Sequence, residues 1–402
     1  MLRRNIKLIH VTTVPETLHF FRGEVAYLKA HGFDVQAISS PGDQAKEFHE
    51  LEAIVVHAVP MARAISPVRD LVALYRLWRL LRLLKPYVVH SHTPKAGLLG
   101  TLAARAAGVP VVFLSVFGLV QMTKTGLTHR VLDAVTRLTC TLAHRVWCDS
   151  FSMRDYVVEE GLCPANKVVV LGQGSVNGVD AEYAFSPHAF TSEQRASLRA
   201  VYGIPPEATV LGSVGRIVRD KGMHELVAAW KALRDRYPDL HLLLVGPFES
   251  RDPLASDDEG LLRTDCRIHL AGLSKDVPAH LAIMNLFVMP SYREGFGVTN
   301  IEAAAMELPV VSTRIPGCVD SVQDGVTGTL VPTRDVNALV DALQAYLDSP
   351  ELRRSHGRAG RERVLRDFRP GAIWEALRCE YSRYLPNRAG ISSSSEAKGL
   401  DG

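Results

Sequence analysis

The feature that most limits the fold is a repeated alternation: short apolar, β-branched runs separated by stretches with helical periodicity. Across the first half "IKLIHVTTV", "DVQAIS", "AIVVHAV", "YVVHSH", "VVFLSVFG", "RVWCDS" and "KVVVLGQG" read as strands. Apolar runs joined by helix-length connections predict a parallel sheet covered by helices. From Thr209 the pattern restarts with "TVLGSVG", "HLLLVG", "RIHLAG", "LFVMPS", "PVVSTR" and "GTLVP". The expectation is an α/β chain of two Rossmann-like domains in series.

The length of 402 residues suits about two domains of roughly 200 residues each. The polar, proline-bearing stretch near Ala181 to Phe190 has little strand character and marks the linker. The expected divisions are a first domain at 1–185, a second at 186–369, an amphipathic helix within 370–386 and a low-complexity, disordered tail at 387–402.

Composition removes several classes of function. With 47% hydrophobic residues, 22% charged and a net charge of +3, the chain reads as soluble and globular. Cys140, Cys148, Cys163, Cys266, Cys318 and Cys379 are far apart with no C-x-x-C pair. Neither a disulfide framework nor a zinc site is legible, which suits a reducing cytoplasm. The N-terminal apolar run alternates like a strand and lacks a cleavage site, so it is not read as a signal peptide. No apolar run approaches the roughly 20 residues of a membrane-spanning helix.

The first 180 residues are net basic and the remainder net acidic. Part of the basic excess lies in "VRDLVALYRLWRLLRLLKPY", where Arg69, Arg76, Arg79, Arg82 and Lys85 interleave with Leu71, Leu74, Trp78, Leu81 and Leu84. This reads as a crossover helix packing its leucines on the sheet, with a basic face left available to anionic lipid headgroups. No aromatic-basic platform or helix-turn-helix accompanies the charge, so nucleic acid is not an expected partner.

The chemistry concentrates in "REGFGVTNIEAAAMELPVV", Arg293 to Val311. If "LFVMPS" is a strand, the Gly-Phe-Gly loop lies at its carboxyl end, where ligands bind in open parallel sheets. Backbone amides at Gly297, Val298 and Thr299 would then open a helix and suit a diphosphate. Glu302 on that helix can accept hydrogen bonds from vicinal hydroxyls such as those of a ribose, and Glu294 can address another hydroxylated group beyond the phosphates. Arg216 and Lys221 in "GSVGRIVRDKGMHEL" suit neutralising two phosphates. There is no G-x-x-x-x-G-K-[ST], and "GQGSVNG" only approximates a dinucleotide fingerprint.

The segments "GRIVRDKG", "LLLVGP", "LAGLSKDVPAHLAIMNLFVMPSYREGFGVTNIEA" and "ELPVVSTRIPGCVDSVQDGVTGTLVP" resemble the retaining GT-B glycosyltransferases of family 4. In the first half, "HSHTPKAGLLGTLAARAAGVP" and "GQGSVNGVD" look like the branch that builds bacterial capsule, exopolysaccharide and O-antigen units on a polyprenyl carrier. The resemblance runs from Ile6 to about Leu385 and implies two Rossmann-like domains facing across a cleft, with the last helix crossing back to the first domain. It implies an E-x7-E motif in which Glu294 reaches the transferred sugar and Glu302 holds the ribose. Arg216 and Lys221 would grip the diphosphate, with Phe296, Gly297, Val298 and Thr299 completing the phosphate cradle. His92 matches a histidine that faces the donor sugar, and Leu273 and Ser274 would lie beside the base. His90 is read as structural, on the opposite strand face.

The resemblance also implies retention of anomeric configuration, no metal or cofactor, a UDP-sugar donor, and a polyprenyl-diphosphate-linked saccharide acceptor on the inner membrane surface. Two departures stand out. "TTVPETLHFFRGE" replaces the glycine-rich loop usual after strand one, leaving Thr13, Glu16 and Phe20, with Lys95, to line the acceptor side, and Phe117 occupies a position where a histidine is common. A soluble acceptor, a sugar-nucleotide epimerase and a nucleotide-sugar binding protein without catalysis stay open as alternatives.

Overall fold

The computed structural model describes residues 5–386; the tail expected at 387–402 lies outside the described residues. All thirteen apolar runs form strands. The first sheet comprises β1 (Ile6–Val11), β2 (Phe33–Ser39), β3 (Val56–Ala58), β4 (Val88–Ser91), β5 (Val111–Val116), β6 (Arg145–Cys148) and β7 (Val168–Val170). The second comprises β8 (Thr209–Val214), β9 (Leu240–Val245), β10 (Ile268–Gly272), β11 (Leu286–Met289), β12 (Val310–Thr313) and β13 (Gly328–Val331). Every pairing within the two sheets is parallel. The chain is therefore α/β with two Rossmann-like domains.

Both sheets share one strand order. The first runs β3-β2-β1-β4-β5-β6-β7 and the second β10-β9-β8-β11-β12-β13. In each, the order reverses between the first and fourth strands of its domain, leaving a crevice at their carboxyl ends where loops diverge to opposite faces. That crevice lies at β1/β4 in the first domain and at β8/β11 in the second. β5 and β9 are buried along their whole length, as expected of strands covered on both faces.

The linker region carries a short helix, Ser192–Val201, started by a capping box in which Thr191 and Gln194 exchange side-chain to backbone bonds. The last helix, Pro370–Ser382, packs on the first domain, with Leu377 and Tyr381 in its core beside Phe113 and Trp147. The basic helix packs largely as expected: in Pro67–Leu84, Ala73, Leu77 and Leu81 are buried in the core, and Leu74, Trp78 and Leu84 pack partly buried against it. The exception is Leu71, which is 67% exposed because it lies outside the stripe that the 3.6-residue period turns to the core.

Candidate active site

The second domain contributes two loops from its crevice, after β8 and after β11. Gly222 adopts φ +68, and a Cβ there would come 1.9 Å from the carbonyl oxygen of Pro290. Only glycine permits this approach, which seats the Arg219–Lys221 turn against the end of β11. The two loops are then fastened together: the Tyr292 amide donates to the Asp220 carbonyl at 2.9 Å, the Arg293 Nε donates to the Asp220 carboxylate at 3.1 Å, and the Tyr292 hydroxyl donates to Glu225 at 2.7 Å. Lys221 is thereby brought onto Glu294, with which it forms an ion pair. Arg216 is paired with Glu249 at 2.9 Å. Both cations proposed from the sequence are thus neutralised by carboxylates that an anionic ligand would displace.

Gly297, at φ +75, precedes the helix Val298–Ala305. The Asn300 amide donates to the Gly297 carbonyl at 2.9 Å, whereas those of Val298 and Thr299 precede the first helical bond and carry the positive end of the helix dipole. Phe296 is buried and packs edge-on against Phe368 at 5.4 Å, holding the loop to the domain core. Glu302, half-buried on the same helix, has its carboxyl desolvated, which lifts its pKa to about 7.

The first domain answers with uncharged groups. His10 is the penultimate residue of β1, His90 lies in β4, and His92 follows it, at the β1/β4 crevice. All three are buried and held neutral: desolvation takes His10 to about 3 and puts His90 and His92 well below the ordinary range. The rings of His90 and His92 are 4.0 Å apart, which corrects the placing of His90 on the opposite face, because residues two apart on a strand share a face. Both His90 nitrogens are bonded, to the Tyr381 hydroxyl at 2.8 Å and to Ser115 Oγ at 2.7 Å.

Among the described residues, His10, His90 and His92 are the one group whose ligand atoms all lie within 4.8 Å of each other. His90 is committed elsewhere, and His10 Nδ1 and His92 Nε2 are hydrogen-bonded at 3.0 Å. The trio is a hydrogen-bonded stack. His92 lies between Phe21 and Phe117, at 4.4 and 5.6 Å. It lines a small cavity with Glu24, Trp147 and Asp149. Desolvation, reinforced by Glu52, raises Glu24 to about 8, and desolvation, with the Glu294 and Asp320 charges nearby, raises Asp149 well above the carboxylate range.

The two faces meet closely. Ser150 Oγ donates to the Gly295 carbonyl at 2.8 Å, and the Asp320 carboxylate accepts from the amides of Phe151 and Ser152 at 3.1 and 3.2 Å. Asp320 thus caps a first-domain helix, Phe151–Glu159, from the second domain. A Cβ on Gly295 would lie 2.3 Å from Asp149 Oδ2 and 2.8 Å from the Gly118 nitrogen. Glycine at 295 is what lets the Glu294 loop reach the first domain.

The other residues nominated from sequence are dispersed. Thr13 is buried and shares a 2.7 Å hydrogen bond with Thr93, while its hydroxyl accepts from the Ala96 amide at 3.0 Å. Lys95 is paired with Asp70 at 2.7 Å, and Glu16 with Arg63 at 3.5 Å. Phe20 is exposed and edge-on to Phe117 at 6.5 Å. Leu273 is 78% exposed, and Ser274 accepts from the Asp276 amide at 3.0 Å. Sequence reasoning missed His10, Glu24, Asp149, Gly118 and Asp320. Apart from its strand-end position, shared with His92, nothing local marks His10; the others bear no motif.

Residues 194–363 match the family model described as glycosyl transferases group 1, and residues 19–174 match the glycosyl transferase 4-like domain. The capsular polysaccharide biosynthesis glycosyltransferase CapM of Staphylococcus aureus is 32% identical over 387 residues, covering 96% of this chain and 100% of CapM. An Escherichia coli UDP-Gal:alpha-D-GlcNAc-diphosphoundecaprenol alpha-1,3-galactosyltransferase is 26% identical, covering 86% of this chain and 89% of its own. In fold, the chain is similar to Anabaena HepE solved with UDP-glucose, with a TM-score of 0.77 at 18% identity over 94% of this chain and 100% of HepE.

Proposed function

The chain belongs to the group 1 glycosyl transferases, with a 4-like first domain and the GT-B fold, and from that premise we propose that it moves a sugar from UDP to a polyprenyl-diphosphate-linked saccharide with retention of configuration. The observation that carries this reading is the joining of Lys221, Glu294 and the first turn of Val298–Ala305 at one crevice, on a loop whose Gly295 meets Asp149 and Gly118 of the first domain. Arg216 and Lys221 hold the diphosphate, and the amides from Phe296 to Thr299 receive the charge that develops on it as the glycosidic bond breaks. Glu302 accepts the ribose hydroxyls. Glu294, freed from Lys221 by the phosphates, turns to the sugar. In this reading the cations and the helix terminus do the electrostatic work without a metal.

The acceptor reading draws on two relatives, one named for capsule synthesis and one for a diphosphoundecaprenol-linked substrate. It is also supported by the outer face of Pro67–Leu84, where Val68, Leu71, Val72 and Tyr75 are exposed among Arg69, Arg76 and Arg79. A basic helix with exposed apolar residues suits an anionic lipid surface. Among the described residues no helix is long and apolar enough to cross a membrane.

Calorimetry with UDP and GDP, for the wild type and Glu302→Ala, tests the donor site. The expected result is UDP binding, weakened in the variant by about 1 to 3 kcal/mol as for a lost hydrogen bond to a charged group. Equal binding by both proteins, or none by either, refutes the assignment. Transfer from UDP-sugars to a diphosphoundecaprenyl saccharide, with the product anomer read by NMR and EDTA present throughout, tests acceptor, stereochemistry and metal independence together.

A further inference from the structure

Five buried polar atoms at or beside the cavity have no partner: His10 Nε2, Glu24 Oε1, His92 Nδ1, Trp147 Nε1 and Asp149 Oδ1, and the first three belong to one row of side chains. Buried polar atoms are rarely left so without a reason. The first two face each other at 3.5 Å, the outer edge of a hydrogen bond. His10 Nδ1 is already bonded to His92 Nε2 at 3.0 Å. The side chains therefore stand in a row, Glu24 to His10 to His92, ending on an imidazole nitrogen beside a cavity that also exposes Trp147 and Asp149. A neutral imidazole carries one proton, so protonating one nitrogen dictates what the other offers.

We infer that Glu24, His10 and His92 form a relay that sets whether His92 Nδ1 presents a donor or an acceptor to a sugar oxygen in this cavity. The inference rests on the reading that His92 faces the transferred sugar. When the Glu24 carboxyl carries its proton, it donates to His10 Nε2. His10 then donates from Nδ1 to His92 Nε2, and His92 is left with a proton on Nδ1. When Glu24 is ionised it accepts from His10 Nε2, the order reverses, and His92 Nδ1 becomes an acceptor. In the change the Glu24 proton passes to His10 Nε2, the His10 Nδ1 proton to His92 Nε2, and the His92 Nδ1 proton leaves to water or a sugar oxygen in the cavity, so one proton is lost overall and each ring keeps one and stays neutral.

The titratable groups facing Glu24 are His10 from β1, His90 in β4 and His92 after it, Glu52 from the helix Asp43–Glu52, Tyr381 from the last helix, and Cys148 and Asp149 across the cavity. None of them is a cation. Glu24 is therefore neutral at pH 7 and ionises near its raised value of about 8, which assigns the donor form of His92 to neutral pH. Glu24 and His10 act through His92 and are positioning residues.

Long-range proton–nitrogen NMR on the full chain labelled with nitrogen-15, with the His92 signals assigned by their loss in His92→Phe, tests the relay without substrate. The expected spectrum has His92 protonated on Nδ1 at pH 7 and on Nε2 at pH 9.5. In Glu24→Gln, whose amide can only donate or accept without titrating, the pH 7 pattern persists to pH 9.5. A His92 tautomer indifferent to pH in the wild type, or the same exchange in Glu24→Gln, overturns the relay. Transfer assays carry the second arm: the KM for donor sugar should change at least threefold across pH 8 in the wild type and stay flat in Glu24→Gln. A tautomer exchange with no change in KM, where UDP binding depends on Glu302, overturns the link to the sugar; loss of Glu302-dependent binding instead indicts the donor-site reading.

Discussion

The two halves share a strand order, and each offers its crevice at the same point of that order, yet the chemistry exposed there is opposite. The second domain presents ion pairs and a helix terminus: Lys221 with Glu294, Arg216 with Glu249, and the first turn of Val298–Ala305. The first presents buried histidines and carboxyls whose desolvation keeps them uncharged. Net charge points the other way, since the first half is the basic one. Part of that excess, Arg69, Arg76 and Arg79, stands exposed on the outer face of Pro67–Leu84, whereas the histidine stack is buried. A repeated backbone thus supplies position, and the few residues at each switch point decide whether that position is charged or neutral. Bulk charge locates neither.

The sharpest way to break this contrast is to remove the charge on one side only. Lys221→Ala should lower kcat by about 10² to 10³, the usual loss of one electrostatic stabiliser of a developing oxyanion, whereas His90→Gln should leave UDP affinity within twofold. Steady-state transfer assays and calorimetry on the two variants decide it. If both fall alike, the halves do not divide the chemistry as proposed.

Next in size is the contact between the halves. Gly295→Ala places a methyl against Asp149 and the Gly118 backbone, so the domains should stand further apart. Small-angle scattering should report a larger radius of gyration, with transfer reduced at least tenfold because closure aligns the reactants. Nucleotide affinity, which belongs to one half, should change little.

A smaller effect concerns Glu302. A carboxyl with a folded pKa of about 7 is largely protonated at pH 6 and ionised at pH 8. A ribose held by the carboxylate therefore binds more weakly at pH 6, and binding releases protons near neutrality. Calorimetry of a UDP-sugar in buffers of different ionisation enthalpy measures that release, and Glu302→Gln should abolish it. The same raised pKa also destabilises the folded state as pH rises from the unfolded carboxylate range through about 7, because the unfolded chain ionises first. Glu302→Gln should make that slope shallower in denaturant titrations, the remainder coming from the raised Glu24 and Asp149.

The smallest effect is expected at Lys275 and Glu47, which join the halves at 2.9 Å across open solvent, with Lys275 84% exposed. Exposed pairs of this kind contribute little, and Lys275→Ala should leave melting temperature and transfer unchanged. A measurable loss would show that closure depends on surface charge as well as on the Gly118–Gly295 contact.

Much of the donor side was legible because its residues lie within two short segments, each following a strand and opening a helix. Glu294, Gly297 and Glu302 are fixed relative to one another by a single loop and helix, and Arg216 and Lys221 by another. Lys95 shows the limit of such reading: its residue type suited an acceptor, but the fold commits its amine to Asp70. The first-domain stack was legible only at His92. Its hydrogen-bond partner, His10, is 82 residues away, and His90 shares a hydrogen bond with Tyr381, 291 residues away.

By itself the sequence determined two parallel α/β domains, all thirteen strands, and the loops that carry glutamate, arginine and lysine to a strand's carboxyl end. It could do so because apolar periodicity and glycine-bearing turns act over a few residues. Tertiary structure alone decided that His10 joins His90 and His92, that Lys221 meets Glu294, that Glu24 is buried as a neutral acid, and that Gly118 and Gly295 touch. These depend on desolvation and on contacts between segments far apart in the chain, and a carboxyl's charge is set by what surrounds it after the chain has folded.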